Sequence, residues 1–179
     1  MRSAIARRCG DRLAELRRQG LRIPQPFDAT ELVARVNRVQ GRRITLVAVN
    51  MPAGTPYGLT LFTETGEHII AYEITTNRVH RDHIIVHELA HVVMGHQPID
   101  IAGADATRSV MPNLAPALVA RVLGRTGGYT DVEEREAETM ATLLLQRAGR
   151  PDDRVDFAGL PADEAAVCRR LHESFENPC

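Results

Sequence analysis

The stretch RVHRDHIIVHELAHVVMG, residues 78–95, decides how this 179-residue chain is read. It opens behind Thr76-Asn77, an N-cap signal, and closes on Gly95, so it predicts a helix over residues 78–94. At about 100° per residue, Ile85, Val86, Leu89, Val92 and Val93 share one arc, while His80, His87, Glu88 and His91 share the opposite one. The helix is expected to pack its back into a core and turn its histidines toward a cleft. Within it, His87-Glu88-Leu89-Ala90-His91 sets two imidazoles on adjacent turns of one face. That H-E-x-x-H spacing lets both hold a single metal ion, with Glu88 beside them as a general base.

A catalytic zinc takes three protein ligands and keeps a fourth position open, so a third ligand is needed. The pattern H-E-x-x-H-x-x-G-x-x-H does not supply it, because the glycine and histidine fall at Gly95 and His96, both out of place. His96 is expected just past the helix end, in a capping role. A second strongly helical run, residues 131–147, carries Glu133, Glu134, Glu136 and Glu138. Wheel arithmetic leaves the choice open: Glu133 lies near the centre of the apolar arc, and Glu134 lies at its edge beside Ala137, Ala141 and Leu145. Small residues at 137 and 141 allow a close approach to the metal helix. Glu138, one turn after Glu134, is placed to accept the outer N–H of a ligating histidine. An oxyanion needs a further donor, and His80, His83 and Tyr129 are the candidates for oxyanion or substrate contacts.

Outward from these two helices the chain reads as α+β. Ile5, Leu13 and Leu16, with Ala6 and Cys9 between, predict an amphipathic helix over residues 3–19, stopped at Gly20. Asp28 and Glu31 form a capping-box-like start for a helix over residues 29–39, closed by Gly41, with Leu32, Val33 and Val36 as its apolar positions. Residues 43–50, 57–62 and 68–74 read as strands, the last two joined through Glu64-Thr65-Gly66 as a hairpin. The expected architecture is a small three-stranded antiparallel sheet on the metal helix and the glutamate helix. A short helix is expected at residues 115–123 and a last one at 162–174. A single domain is expected, with an Arg-rich helix and linker at 1–26, a core at 27–149 and a C-terminal helix and tail at 150–179.

Composition narrows the chemistry. All 22 basic residues other than histidine are arginine. Without lysine there is no Schiff-base amine, no P-loop lysine and no kinase-type phosphate lysine. With no Trp, three Tyr and four Phe, an aromatic platform for nucleic acid is not expected, and no helix-turn-helix pair stands out. Cys9, Cys168 and Cys179 form no C-x-x-C pair, and no stretch reaches the length of a membrane span; a cytoplasmic protein with no membrane partner is expected. The net charge of −1 hides a split. Residues 1–22 hold seven Arg against Asp11 and Glu15, whereas residues 131–179 hold twelve acids against six Arg. The basic start is expected to be a solvated face that pairs with the acidic end. Docking of a partner through Arg7, Arg8 and Arg12 is the rival reading. Gly124-Arg125-Thr126-Gly127-Gly128 reads as a helix end and turn rather than a phosphate loop.

The run from His87 to His96, followed by Glu134-Arg135-Glu136-Ala137-Glu138-Thr139-Met140-Ala141-Thr142-Leu143-Leu144, resembles the ImmA/IrrE family of bacterial metallopeptidases. The family pattern is H-E-[LI]-[AG]-H and then E-x-x-A-[DN]-x-F-A-x-x-L-L. The resemblance covers roughly residues 27–149 and implies a minimal zincin-like fold of gluzincin type, with one Zn²⁺ held by His87, His91 and Glu134 and with Glu88 as base. Glu138 stands where Asp or Asn is usual, and Met140 replaces Phe. The resemblance also implies the substrate, a helix-turn-helix repressor of XRE type in a stress-response or mobile-element switch. Direct nucleic-acid binding is not expected. The competing function is a metal-containing regulatory or binding module that sequesters a protein partner without proteolysis.

Overall fold

The computed structural model describes residues 2–51, 56–62, 66–96 and 129–149, all within one compact unit, Met1–Gly149. The order is α1 (Arg2–Arg18), α2 (Ala29–Gln40), β1 (Ile44–Val49), β2 (Gly58–Phe62), β3 (His68–Glu73), α3 (Arg78–Met94) and α4 (Asp131–Ala148). The elements expected at 115–123 and 162–174, the glycine turn at 124–128, Cys168 and Cys179 lie outside the described residues.

Local chemistry sets the element ends. Asp28 caps α2 by accepting from the Glu31 backbone N–H at 2.9 Å, and Gly41 ends it in the left-handed region at φ 60°. Asn77 accepts from the His80 N–H at 3.0 Å and opens α3. Thr130 opens α4 through a reciprocal capping box with Glu133, whose carboxylate accepts from the Thr130 N–H at 2.9 Å.

The sheet is mixed, which corrects the expectation of an all-antiparallel one. Its order is β1-β3-β2: β3 pairs antiparallel with β2 (Gly58↔Tyr72 to Phe62↔His68) and parallel with β1 (Ile44↔His68 to Val49↔Glu73). The reason lies in the strands. The run Ile69-Ile70-Ala71 of β3 is buried throughout, whereas the apolar run Leu46-Val47-Ala48 of β1 is only partly covered and leaves Ala48 exposed. Strand β3 takes the central slot, and residues 50–57 are long enough to carry the chain past it to the far edge. Glu73 fastens the junction. Its carboxylate accepts from the Met51 N–H at 2.7 Å, from the Thr75 N–H at 2.8 Å and from the Thr75 hydroxyl at 2.6 Å. Those bonds hold the carboxyl below the usual carboxylate range.

One core joins the four described helices and one face of the sheet. Ile5, Cys9, Leu13 and Leu16 of α1 meet Leu32 and Val36 of α2, Leu89 and Val93 of α3, Met140 and Leu144 of α4, and Ile70 of β3. The N-terminal helix is thus a structural part of the core and not an appendage to it, although Ala6 points out to solvent. A smaller cluster, Val49, Leu61, Ile69 and Ala71, lies on the other face of the sheet. The helix face expected to line a cleft is also covered: from Ile84 to Met94, every α3 residue except His87 is buried. Ala137 and Ala141 are fully buried, and their small side chains let α4 pack closely over that face.

Candidate metal centre

Three side chains from α3 and α4 converge. His87 Nε2 lies 3.2 Å from His91 Nε2 and 3.4 Å from Glu134 Oε2, and His91 Nε2 lies 3.7 Å from the same oxygen. Each offers one ligand atom, all within 4.8 Å of one another, and together they could hold a metal ion. The competition between Glu133 and Glu134 is resolved by the helix start: Glu133 is engaged in the capping box, while Glu134 turns to the histidines. The wheel put Glu133 near the centre of the apolar arc because it takes no account of what a first-turn side chain does for the helix end.

His91 is buried to 1% exposure, and burial, then the neighbouring His87 and His96, pull its imidazole down to about 3. It is therefore neutral near pH 7, as a metal ligand must be. Glu88 is 7% exposed, and burial pushes its carboxyl up to about 7 against the opposing hydrogen bond from Thr60, with the Glu134 charge adding to the rise. The Thr60 hydroxyl donates to Glu88 Oε2 at 2.8 Å. Gly58, two residues earlier on the same edge strand, leaves room for this carboxylate: a Cβ there would stand 2.9 Å from Glu88 Oε1 and 2.6 Å from Ile84 Cγ2. The sequence predicts a strand at residues 57–62, and nothing in it marks Gly58 and Thr60 as the groups that seat Glu88.

Glu138 approaches the other ring nitrogen of His87, with Oε2 3.5 Å from Nδ1. The three further candidates part company. Tyr129 joins the site, its ring stacked on His91 at 3.6 Å between centroids and 16° between planes. Its hydroxyl approaches Thr60 but completes no hydrogen bond of good geometry among the described residues. Burial, then the Glu88 charge, raises this phenol above its ordinary range. His80 is not brought in: its Nδ1 is 2.8 Å from the Thr76 hydroxyl and its ring meets Tyr57 edge-on. His83 is half-buried one helical turn, about 6 Å, before His87.

Two residues with no assigned place in the site flank it. His96 follows Gly95, whose φ of 77° turns the chain back, and the His96 N–H donates to the His91 carbonyl at 3.0 Å. Its side chain does not cap the helix as expected. It folds under His91, with Nδ1 3.0 Å from His91 Nδ1 and Nε2 3.0 Å from Glu136 Oε2. Glu136, 3% exposed, receives Arg8 on its other oxygen at 2.8 Å. The expected pairing of the basic start with the acidic end is thus realised at Arg8. Arg12 also turns inward, and its Nε donates to the Val93 carbonyl at the end of α3 at 2.7 Å. Reversing the charges of Arg8 and Arg12 would therefore disturb the fold before it tested any docking surface.

No family model, no curated protein and no solved structure matches the chain. Among the described residues, no helix is long and apolar enough to cross a membrane.

Proposed function

We propose that the chain is a zinc-dependent metallo-endopeptidase, in keeping with the resemblance of its two motifs to the ImmA/IrrE family. The observation that carries this reading is the convergence of His87, His91 and Glu134 beside a buried Glu88. With metal–ligand bonds of about 2.1 Å, the edges of a tetrahedral site measure about 3.4 Å. The three separations are 3.2, 3.4 and 3.7 Å. Two imidazoles and one carboxylate make the donor set of a catalytic zinc rather than of calcium or magnesium, which take oxygen ligands.

When bound, zinc supplies Lewis acidity, polarising a carbonyl and acidifying water. The remaining work falls to the protein. Thr60 occupies Glu88 Oε2 and leaves Oε1 to take a proton from the attacking water. A carboxyl near 7 is poised to accept that proton at neutral pH and then to return it to the leaving amine. Glu138 and His96 face the outer nitrogens of the two histidines and keep the rings aimed at the shared point. By the same resemblance, the substrate is a helix-turn-helix repressor protein.

A second reading draws on burial. His91 and Glu88 are 1% and 7% exposed, which suits a latent or purely regulatory metal module that sequesters a partner without cutting it. Replacing Glu88 with Gln separates the two, because the ligands survive and only the base is lost. The peptidase reading expects cleavage to fall about 10²–10⁴-fold with metal retained. Persistence of partner function in that variant would instead favour the regulatory module.

A further inference from the structure

We infer that His96 and Glu136 are positioning residues: together they form a buried relay, anchored at its far end by Arg8 of the N-terminal helix, that fixes which nitrogen of His91 faces the metal point. The inference rests on the metal-centre reading for its purpose, although the relay is defined by side chains alone.

The relay runs through four groups in unbroken contact. Arg8 meets Glu136 Oε1 at 2.8 Å, Glu136 Oε2 meets His96 Nε2 at 3.0 Å, and His96 Nδ1 meets His91 Nδ1 at 3.0 Å. His91, His96 and Glu136 are 1%, 4% and 3% exposed, so water does not compete for these bonds. For a His96 ring that carries one proton, the proton order follows from donor chemistry. A carboxylate only accepts, so Glu136 takes the proton on His96 Nε2. A neutral His96 with its proton on Nε2 presents a lone pair at Nδ1, and that lone pair can only be met by a proton on His91 Nδ1. His91 Nε2 is left as a bare lone pair, directed at the point it shares with His87 and Glu134.

The relay gives the arginine-rich start of the chain a role beyond packing. Glu136 is a buried carboxylate that would carry an unpaired charge without a cation, and the guanidinium beside it comes from α1. Cys9, one residue further along the same helix, donates its thiol to the Glu136 carbonyl at 3.4 Å and fixes the backbone there. Helix α1 lies outside the two motifs, yet it holds the base of the device that orients a ligand.

The test has one arm without metal and one with it. In chelator-treated protein, nitrogen-15 NMR of the histidine rings should find the His91 proton on Nδ1. Finding it on Nε2 overturns the relay, whatever any variant does. In His96→Leu that preference should be lost. In His96→Asn, whose amide oxygen can stand where Nδ1 stood, it should be recovered. In the second arm Co²⁺ is titrated against a competing chelator and followed by its visible absorption. His96→Leu should weaken affinity about 10–100-fold, His96→Asn should restore most of it, and Arg8→Met should weaken it less than His96→Leu. Equal affinity and an unchanged His91 tautomer in His96→Leu would overturn the proposal. If the wild type takes up no Co²⁺ while the tautomer results hold, the metal-centre reading fails and the relay stands.

Discussion

Gly58→Ala is the most local probe of how Glu88 is seated. The added Cβ would stand 2.6 Å from Ile84 Cγ2, 2.9 Å from Glu88 Oε1 and 3.0 Å from Glu88 Cγ. Ordinary contacts lie at about 3.5–4.0 Å, so helix and strand must part or Glu88 must turn by about 1 Å. Overpacking of this kind costs about 1–3 kcal/mol, and the smaller freedom of the unfolded alanine chain returns about 0.4–1 of it. The expected loss is about 1–2 kcal/mol in urea denaturation. A 1 Å shift of the base should also lower peptide cleavage about 100-fold while metal binding stays intact. Ile84→Ala removes the nearest obstructing atom, so the pair Gly58→Ala and Ile84→Ala should show a favourable coupling of about 0.5–3 kcal/mol. Wild-type stability and turnover in Gly58→Ala, or no coupling with Ile84→Ala, would refute this account of the Glu88 seat.

Two further outcomes follow from the same geometry. In metal-free protein the raised Glu88 carboxyl binds a proton that the unfolded chain has already released, so stability falls as pH rises from the ordinary carboxylate range through about 7. Glu88→Gln removes that loss: relative to wild type it should gain about 3 kcal/mol between pH 4 and pH 8 in denaturant titrations, and parallel pH profiles would contradict the burial argument. Arg12→Met leaves the Val93 carbonyl at the end of α3 without its charged donor, and it should cost about 1.5–3 kcal/mol by thermal or urea unfolding, against little for Arg7→Met, which is exposed.

Much of this was written in the local sequence. Both site helices begin where cap residues place them, and H-E-x-x-H brings two imidazoles together by spacing alone because three or four residues make one helical turn. What escaped was decided by tertiary contact. Strand order depends on which strand is covered on both faces, and apolar runs do not decide it, since Leu46-Val47-Ala48-Val49 at the edge is longer than Ile69-Ile70-Ala71 at the centre. His96 escaped because wheel arithmetic stops at Gly95: a left-handed residue redirects the chain, and the next side chain falls back beneath the helix. Glu136 reads like any solvated helix charge. Its position on the flank of the arc opposite Glu134 acquires meaning only once Arg8 and His96 arrive from distant parts of the chain.

The central claim is that His87, His91 and Glu134 hold one metal ion, and metal content tests it most directly. Protein purified with zinc supplied, dialysed and analysed by mass spectrometry should carry one equivalent. His91→Ala and Glu134→Ala should carry almost none, and Glu133→Ala should match wild type, since that carboxylate caps α4. A wild type without bound metal, or loss of metal in Glu133→Ala with retention in Glu134→Ala, would contradict the account.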